Sequence, residues 1–323
     1  MKSQPIIHLS FIAIILALCV SFNSCGKDPD GVYNPKQKIS KIYEDVDNDE
    51  NVMKILTQIW SWEKNQLSKI DFCSANSADE NQINNPIIYN TERYFYEKNK
   101  LSKIEQNDGI HTQFFYDGDK LKNVEVYDRN QSLWLSMLFT YDKNKISKIV
   151  IEEDYSMSYE SHSMFLSCFI PQNYISKIAK CFQENGKNIN GLITYNVNYT
   201  YTGDNIKEMV VDIFEEESHL VLSANYLSHD TKENPFYKKN TVCEDFLVNF
   251  VYVLGNNFVS SKNNPLEITY QFGYEGSTYT ENDTYKYTYT YDNKGFPTEI
   301  LLTGFYGDDM NNSWTKKNYY EYK

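Results

Sequence analysis

Tyrosine is the residue type in this chain whose number and spacing could support chemistry, because its ring can stack on a ligand while its hydroxyl forms a hydrogen bond. Two expected strands carry alternate tyrosines, which places those rings on one face of each strand. These residues are Tyr195, Tyr199 and Tyr201 in the first strand and Tyr285, Tyr287 and Tyr289 in the second. Such a face, rimmed by Asn, Asp and Lys, is suited to binding a sugar. Tyrosine is also the ordinary filler of a half-buried sheet, so both interpretations stay open.

Other residue types give no comparable signal. The histidines beyond the first 24 residues show no metal-ligand spacing with each other or with cysteine. They are His111, His162, His219 and His229. The run from Asp45 to Asp49 begins like a calcium loop, but Glu50 and Leu56 stand where that pattern needs Gly and Glu. The sequence also lacks Gly-x-Ser-x-Gly, a phosphate loop and Cys-x-x-Cys. We therefore predict no enzymatic activity, no metal and no cofactor.

A short repeat is expected to position the tyrosines. The tetrapeptide Leu/Ile-Ser-Lys-Ile starts at residues 39, 67, 101, 146 and 175, and looser copies start at 121 and 206. An aromatic residue precedes most copies by five positions, as Tyr141 precedes Ile146. The Asp, Asn, Lys and Gly residues between them suit tight hairpin turns. Repeated hairpins predict an all-β antiparallel meander, curled into a barrel-like sheet.

The alternation of side chains predicts two unlike faces for this sheet. If Tyr141 pairs with Ile146, these two residues share a face with Phe139, while Ile149 and Ile151 lie on the other face. We therefore expect a buried aliphatic face and a half-exposed face rich in tyrosine. Two Asn-Pro turns, at 234–235 and 264–265, interrupt the rhythm and predict a connection covering one end of the sheet. Between them lies the best helix candidate, Glu244 to Leu254, which suits a strand as well.

The first residues predict a targeting segment for export. A base at Lys2 and an apolar run over residues 11–20 form a leader that is too short to span a membrane comfortably. Ser24 followed by Cys25 resembles the lipobox of bacterial lipoproteins, which implies cleavage before Cys25 and a diacylglycerol on its sulfur. An ordinary secretory signal with an incidental cysteine is the alternative. We expect a signal peptide over 1–24, a lipid-anchored tether over 25–34 and one β-repeat domain over 35–323.

Net charge limits the possible binding partners, and the cysteine content bears on disulfide pairing. The net charge of −13 repels nucleic acid, so no nucleic-acid partner is expected. Four cysteines outside the leader and the anchor allow three full pairings, and sequence alone does not choose among them. They are Cys73, Cys168, Cys181 and Cys243. Because they are widely scattered, we predict mostly free, buried thiols.

The hairpins resemble YD (Rhs-like) repeats in the pairs that begin at Tyr116, Tyr141 and Tyr291. The wider arrangement resembles a Bacteroidetes lipoprotein family of unknown function with a porin-like fold. The matching pieces are Cys25, residues 33–36 leading into 39–42, residues 60–62 and the two Asn-Pro turns. The resemblance implies an antiparallel sheet curled into a barrel, and it supplies no catalytic residue.

The outer membrane is the expected location. The acidic stretch after Cys25 resembles the surface-export signal of Bacteroidetes lipoproteins, although Pro29 interrupts it. Lys, Asn and Glu are mixed through both expected faces, which excludes a continuous lipid-facing band and predicts a water-soluble barrel. We expect a cell-surface lipoprotein without enzymatic activity that binds a ligand such as a glycan through the tyrosine face. The alternative is a structural or protein-interaction component of an outer-membrane complex that uses exposed strand edges.

Overall fold

The computed structural model describes residues 29–48, 51–74, 85–154, 192–215, 218–239, 261–274, 280–307 and 313–323. Within these ranges the chain forms sixteen β-strands and no helix. They are β1 (Ile39–Asn48), β2 (Asn51–Glu63), β3 (Gln66–Ser74), β4 (Ile87–Glu97), β5 (Lys100–Gln106), β6 (His111–Asp117), β7 (Lys120–Tyr127), β8 (Leu133–Asp142), β9 (Lys145–Asp154), β10 (Leu192–Thr202), β11 (Asn205–Glu215), β12 (Ser218–Glu233), β13 (Asn263–Tyr274), β14 (Thr280–Tyr291), β15 (Pro297–Tyr306) and β16 (Ser313–Tyr322). The predicted all-β class is confirmed.

Each strand pairs antiparallel with its neighbours in the chain, and β16 pairs with β1 to close the sheet into a barrel. Ile42 lies opposite Tyr320 at this seam. The predicted antiparallel meander is therefore confirmed, and the barrel closes. Every described strand has a neighbour on both sides, so the exposed strand edges expected for a protein partner are absent from the described part of the chain, and the partner itself stays a prediction.

Tight hairpin turns gather at one end of the barrel, which we call the turn end. Successive strands run in opposite directions, so alternate connections lie at the same end of the barrel. Five of the hairpins at the turn end have two-residue turns. Their closing pairs are 63 with 66, 97 with 100, 117 with 120, 142 with 145 and 202 with 205. Lys64 and Asn65 have φ of 48° and 71°, the positive values that a type I′ turn requires. The turn chemistry read from the repeat is thus correct.

The Ser-Lys step of the repeat is a β-bulge. Tyr141 lies opposite Ile146 and Thr140 lies opposite Lys148, so Ser147 is the extra residue. The Ser147 hydroxyl donates a hydrogen bond to the Thr140 carbonyl oxygen at 3.2 Å. The same bond joins Ser68 to Ser61 and Ser102 to Phe95. The serine of the repeat therefore supports the backbone where the strand bulges.

The bulge turns both aliphatic residues of the repeat into the barrel. Ile146 is 9% exposed and Ile149 is 0% exposed. The prediction that they lie on opposite faces is wrong, because one extra residue reverses the alternation along the strand. The separate aliphatic and half-exposed tyrosine faces do not exist as predicted. Aliphatic and aromatic side chains instead share the inner face, where each full burial contributes about 1.5–3 kcal/mol.

Each repeat aromatic is also tied to the preceding hairpin. The Tyr141 hydroxyl donates to the Leu121 carbonyl oxygen at 2.8 Å. Equivalent bonds run from Tyr96 to Leu67, from Tyr116 to Leu101 and from Tyr201 to Ile146. Lys120 adds a cation–π contact, since its Nζ lies 4.9 Å from the Tyr141 ring centre. The repeat thus encodes contacts between hairpins as well as the hairpins themselves.

The outer surface is mixed in polarity. Its exposed large apolar side chains are Ile87, Ile88, Phe95, Phe115, Leu133, Leu138, Leu227 and Tyr306. Polar residues interrupt them: Phe95 lies opposite Lys103 in the sheet, and Phe115 lies opposite Asn123. A membrane-spanning barrel carries a continuous apolar band outside, whereas this barrel carries its apolar core inside.

Several sequence predictions concern residues outside the described ranges. These are the repeat copy at 175–178, the stretch from Glu244 to Leu254, and Cys25, Cys168, Cys181 and Cys243. Cys73 is described, and it is a buried free thiol, as predicted. Burial and the nearby charge of Asp71 raise the pKa of Cys73 to about 11, so this thiol is unreactive at neutral pH.

Candidate functional site at the turn end

Residues 29–38 lie across the turn end and are bonded to its hairpins. The Leu101 backbone N–H donates to the Gly31 carbonyl oxygen at 2.9 Å. One carboxylate oxygen of Asp30 accepts from the Leu121 N–H at 3.1 Å and from the Tyr141 hydroxyl at 2.6 Å. Burial, followed by the hydrogen bond to Asp30 and its charge, raises the pKa of Tyr141. The Tyr141 hydroxyl therefore stays protonated and holds the segment in place.

The next residues of this segment enter the core. Gly31 has φ of 78°, and a Cβ at this position would overlap the Tyr116 hydroxyl. Tyr33 is 7% exposed, and its ring centre lies 5.6 Å from that of Trp62. The Tyr33 hydroxyl donates to the Pro235 carbonyl oxygen at 2.7 Å. The chain is thus built into the barrel from Asp30 onward.

A second segment, residues 234–239, closes the turn end beside the first. The Asn234 side chain accepts from the Phe236 N–H at 3.0 Å and donates to the Ser261 carbonyl oxygen at 3.0 Å. This places Phe236 in the core at 1% exposure, with its ring centre 6.2 Å from that of Trp60. The Asn-Pro turn therefore covers one end of the sheet, as its sequence predicted.

The second Asn-Pro turn is fixed to the first through Asp230. The Asp230 carboxylate accepts from the Asn264 N–H at 3.2 Å and from the Asn264 side-chain amide at 3.2 Å. It also accepts from the Tyr291 hydroxyl and from the Lys232 N–H. These bonds join the end of β12 to the start of β13 and hold residues 261–262 beside the first turn.

A cleft of about 240 Å³ lies at the turn end, between the two covering segments. Its lining combines aromatic rings, amides, prolines and charged side chains. The lining residues are Val32, Asn34, Pro35, Asp204, Glu233, Asn234, Pro235, Tyr237, Lys238, Lys262 and Phe296. A mixture of ring surface and polar groups is typical of a site for a small polar ligand.

Two ion pairs involve charged residues that line the cleft. Lys36 Nζ lies 2.6 Å from a Glu233 carboxylate oxygen, and Lys262 Nζ lies 3.6 Å from one of Asp204. These partly exposed pairs each stabilise the fold by less than about 1 kcal/mol. Burial, and then the charges of Asp204 and Asp30, raise the pKa of Tyr237. Its hydroxyl therefore stays protonated at neutral pH and can donate a hydrogen bond to a ligand.

The tyrosines predicted to bind a ligand lie elsewhere. Tyr195, Tyr199, Tyr285 and Tyr287 are inside the barrel at 1%, 5%, 1% and 4% exposure. Tyr201 and Tyr289 are partly buried against the same core. Tyr195 hydrogen-bonds to Glu153 at 3.2 Å, and the Tyr289 hydroxyl donates to the Pro265 carbonyl oxygen at 2.8 Å. Tyr195, Tyr199, Tyr285 and Tyr287 therefore do not form the half-exposed face that was expected, because the inner face of a closed barrel is its core.

The cleft residues were missed because three distant parts of the chain supply them. The Asn-Pro turns did indicate a cover at one end of the sheet. Nothing in the sequence, however, shows that residues 32–35 return to meet Tyr237 and the 203–204 turn. The close approach of Gly31 to Tyr116 and the burial of Tyr33 hold this segment against the turn end. Both contacts exist only in the closed barrel.

Comparison with known proteins supports the fold. The barrel is similar to that of a porin-like protein from Bacteroides uniformis. The TM-score is 0.52 and the sequence identity 12%, and the match covers 91% of this chain and 100% of that one. No family model and no curated protein matches the chain. The porin-like fold that the family resemblance implied is therefore confirmed, while the lipoprotein family and the YD repeats stay predictions.

Two further observations bear on the chemistry. Among the described residues, no group of three or more His, Cys, Asp or Glu side chains is placed to hold a metal ion. Asp45, in the stretch that resembled a calcium loop, lies in β1 and accepts a hydrogen bond from the Tyr319 hydroxyl at 2.9 Å. The described part of the chain also contains no helix long and apolar enough to cross a membrane.

Proposed function

We propose that this chain is a lipid-anchored, non-enzymatic protein of the outer membrane that binds a glycan in the turn-end cleft. The observation that carries the proposal is the composition of the cleft. Tyr237 offers a ring and a protonated hydroxyl, while Asn34 and the paired charges offer donors and acceptors around it. Sugars present CH faces and hydroxyls, which this combination of groups can contact.

Attachment to the membrane rests on Cys25 and the apolar leader before it. Each acyl CH₂ buried in a bilayer contributes about 0.8 kcal/mol, and two or more chains give a lasting anchor. The inward-facing core supports a barrel that stands in water, with the acyl chains as its membrane attachment. We propose that the protein faces the outside of the cell, because the acidic stretch after Cys25 resembles a surface-export signal.

A glycan array tests the binding activity. The purified chain without its leader is applied to an array of bacterial and host glycans, together with Tyr237→Ala and Tyr306→Ala. Tyr306 is a matched control, since it is 37% exposed and lies at the other end of β15. We expect binding by the parent and by Tyr306→Ala, with at least a tenfold loss for Tyr237→Ala. A blank array, or equal binding by all three proteins, contradicts the proposal.

A second function has an observation in its favour. Phe95, Phe115 and Leu138 are 41%, 40% and 51% exposed on neighbouring hairpins of the outer surface. Such side chains suit a protein partner, as in an outer-membrane complex. Crosslinking in cells followed by purification tests this function. An outer-membrane protein captured by the parent, but not by a triple serine variant at these positions, supports it, and equal capture contradicts it.

A further inference from the structure

We infer that the barrel stands on the membrane with its turn end, so that the cleft faces the lipid headgroups. The inference rests on the proposed Cys25 anchor and extends it by fixing which face of the barrel meets the bilayer. The opposite end, where strands such as β7 and β9 finish, then points away from the membrane.

Chain length gives the first argument. Three residues separate Cys25 from Pro29, the first described residue. A fully extended chain spans at most about 3.6 Å per residue, so the lipidated sulfur lies within roughly 15–20 Å of Pro29. Strand β8 has ten residues, which corresponds to about 33 Å along the strand. The tether is therefore too short for the acyl chains to reach past the far end of the barrel.

The attachment of the tether to the barrel gives the second argument. Asp30 and Gly31 are bonded to Leu101, Leu121 and Tyr141, all beside the hairpin turns. Tyr33 is anchored in the core just beyond them. If the residues next to the tether made no contact with the barrel, the barrel could rotate freely relative to the anchor. Here those residues are bonded to the turn end, so the tether leaves the barrel at a fixed point.

The distribution of charge gives the third argument. Lysines accompany the acids at the turn end, namely Lys36, Lys38, Lys64, Lys98, Lys143, Lys232, Lys238, Lys262 and Lys294. Acids outnumber bases at the described part of the opposite end, which carries Glu105, Asp108, Glu125, Asp128, Glu152, Asp154, Asp212 and Asp283. An anionic bilayer surface repels the acidic end more strongly, and this favours the same orientation.

The orientation restricts the ligand of the cleft. Val32, Asn34 and Pro35 line the cleft and follow the tether directly. The cleft is thereby held near the headgroups of the bilayer that carries the anchor. The glycan that we propose as ligand is therefore a sugar borne on a lipid of that leaflet.

Energy transfer to the membrane tests the orientation. The full-length lipidated protein is reconstituted in vesicles with a headgroup-labelled acceptor lipid. A fluorescent unnatural amino acid replaces either Asn144, exposed in a turn-end hairpin, or Asn130, exposed at the opposite end. We expect several-fold stronger transfer from position 144. Equal transfer, or stronger transfer from position 130, overturns the orientation.

Two controls separate the anchor from the orientation. Vesicle flotation is measured first, and Cys25→Ala is expected to stay in solution. If Cys25→Ala floats as well as the parent, the proposed anchor fails. Insertion of 20 Gly-Ser residues after Gly26 adds about 25 Å of flexible reach. We expect this insertion to abolish the difference between the two probes, and a difference that persists contradicts a role for the short tether.

Sugar-headed lipids test the ligand class. The parent is compared with Tyr237→Ala for binding to vesicles that contain a saccharide-headed lipid, both proteins lacking the anchor through Cys25→Ala. The same sugar in free form is the second arm. Binding to the vesicles that depends on Tyr237 supports a headgroup ligand. Binding confined to a soluble polymer overturns it, while leaving glycan binding itself intact.

Discussion

The inner face of the barrel is built in two different ways. At the turn end, the hydroxyls of the repeat tyrosines have partners, as Tyr116 donates to Leu101 and Tyr141 to Leu121. In the polar sector, which we define as Glu44, Lys316 and Asn318 on β1 and β16, the groups are less well matched. Neither side-chain polar atom of Asn318 has a hydrogen-bond partner within the described structure, although the residue is 0% exposed.

The two regions contribute differently to the stability of the barrel. Burial lowers the pKa of Lys316, and Glu44 opposes that shift from 2.5 Å away. A buried ion pair of this kind adds little net stability, since desolvation offsets the attraction. The hydrogen bonds of the repeat at the turn end therefore stabilise the fold, whereas the polar sector adds little stability.

Alkaline pH should disrupt the turn end. Burial, the leading cause in each case, raises the pKa of its tyrosines, namely Tyr96, Tyr116, Tyr141, Tyr201, Tyr289 and Tyr322. The unfolded chain releases these protons near pH 10 while the folded protein keeps them. Their contribution to stability is therefore complete below pH 10 and is lost above it, by up to about 1.4 kcal/mol per tyrosine and pH unit.

Tyrosine absorbance and circular dichroism, recorded together from pH 8 to 12, measure this effect. We expect the six hydroxyls to ionise only as the barrel unfolds, in one cooperative step. Ionisation of all the tyrosines near pH 10 with the fold intact would contradict the assignment. Tyr141→Phe should reduce the slope of the free energy of unfolding against pH by the contribution of one tyrosine.

Ile149→Ala should destabilise the protein by about 2–4 kcal/mol, because it leaves a cavity in a fully buried site. The matched control is Val150→Ala, one residue along on the partly exposed outer face, with an expected cost below about 1 kcal/mol. Urea denaturation measures both changes. Equal costs would contradict the bulge that turns Ile149 inward.

Asp30→Ala should cost about 1–3 kcal/mol, since it removes the acceptor of the Leu121 N–H and of one Tyr141 bond. Asp117→Ala changes an exposed acid at the same end and serves as the control. Thermal unfolding of both variants is the measurement. A shift no larger than that of the control would show that the segment over the turn end is not fixed by Asp30.

Asn318→Leu should leave stability unchanged or raise it by up to about 1 kcal/mol, because it removes buried polar atoms without protein partners in the described structure. Asn264→Leu is the matched change at the turn end, where the side chain is bonded to Asp230 and the residue is 2% exposed. That variant should lose about 1–3 kcal/mol. Losses of the same size in both proteins would remove the contrast between the two regions.

The repeat was sufficient to predict hairpins, turns and a barrel, because turn chemistry and strand alternation act over a few residues. It was insufficient for the faces, since the extra residue at Ser147 shifts the alternation and leaves no mark on composition. The tyrosines at 195, 199, 285 and 287 were placed on a binding face because sequence cannot distinguish the inside of a closed sheet from an open groove. The cleft depends on contacts about 200 residues apart, such as Tyr33 with Pro235.

The central claim is that residues 29–38 are part of the barrel and are bonded to its turn end. Hydrogen exchange of the Leu101 and Leu121 amides tests it directly, because these amides donate to Gly31 and Asp30. We predict protection close to that of the core in the full chain, and at least a hundredfold faster exchange when residues 25–33 are deleted, with the Ile149 amide unchanged. Equal protection of Leu101 and Leu121 with and without the segment would contradict the claim.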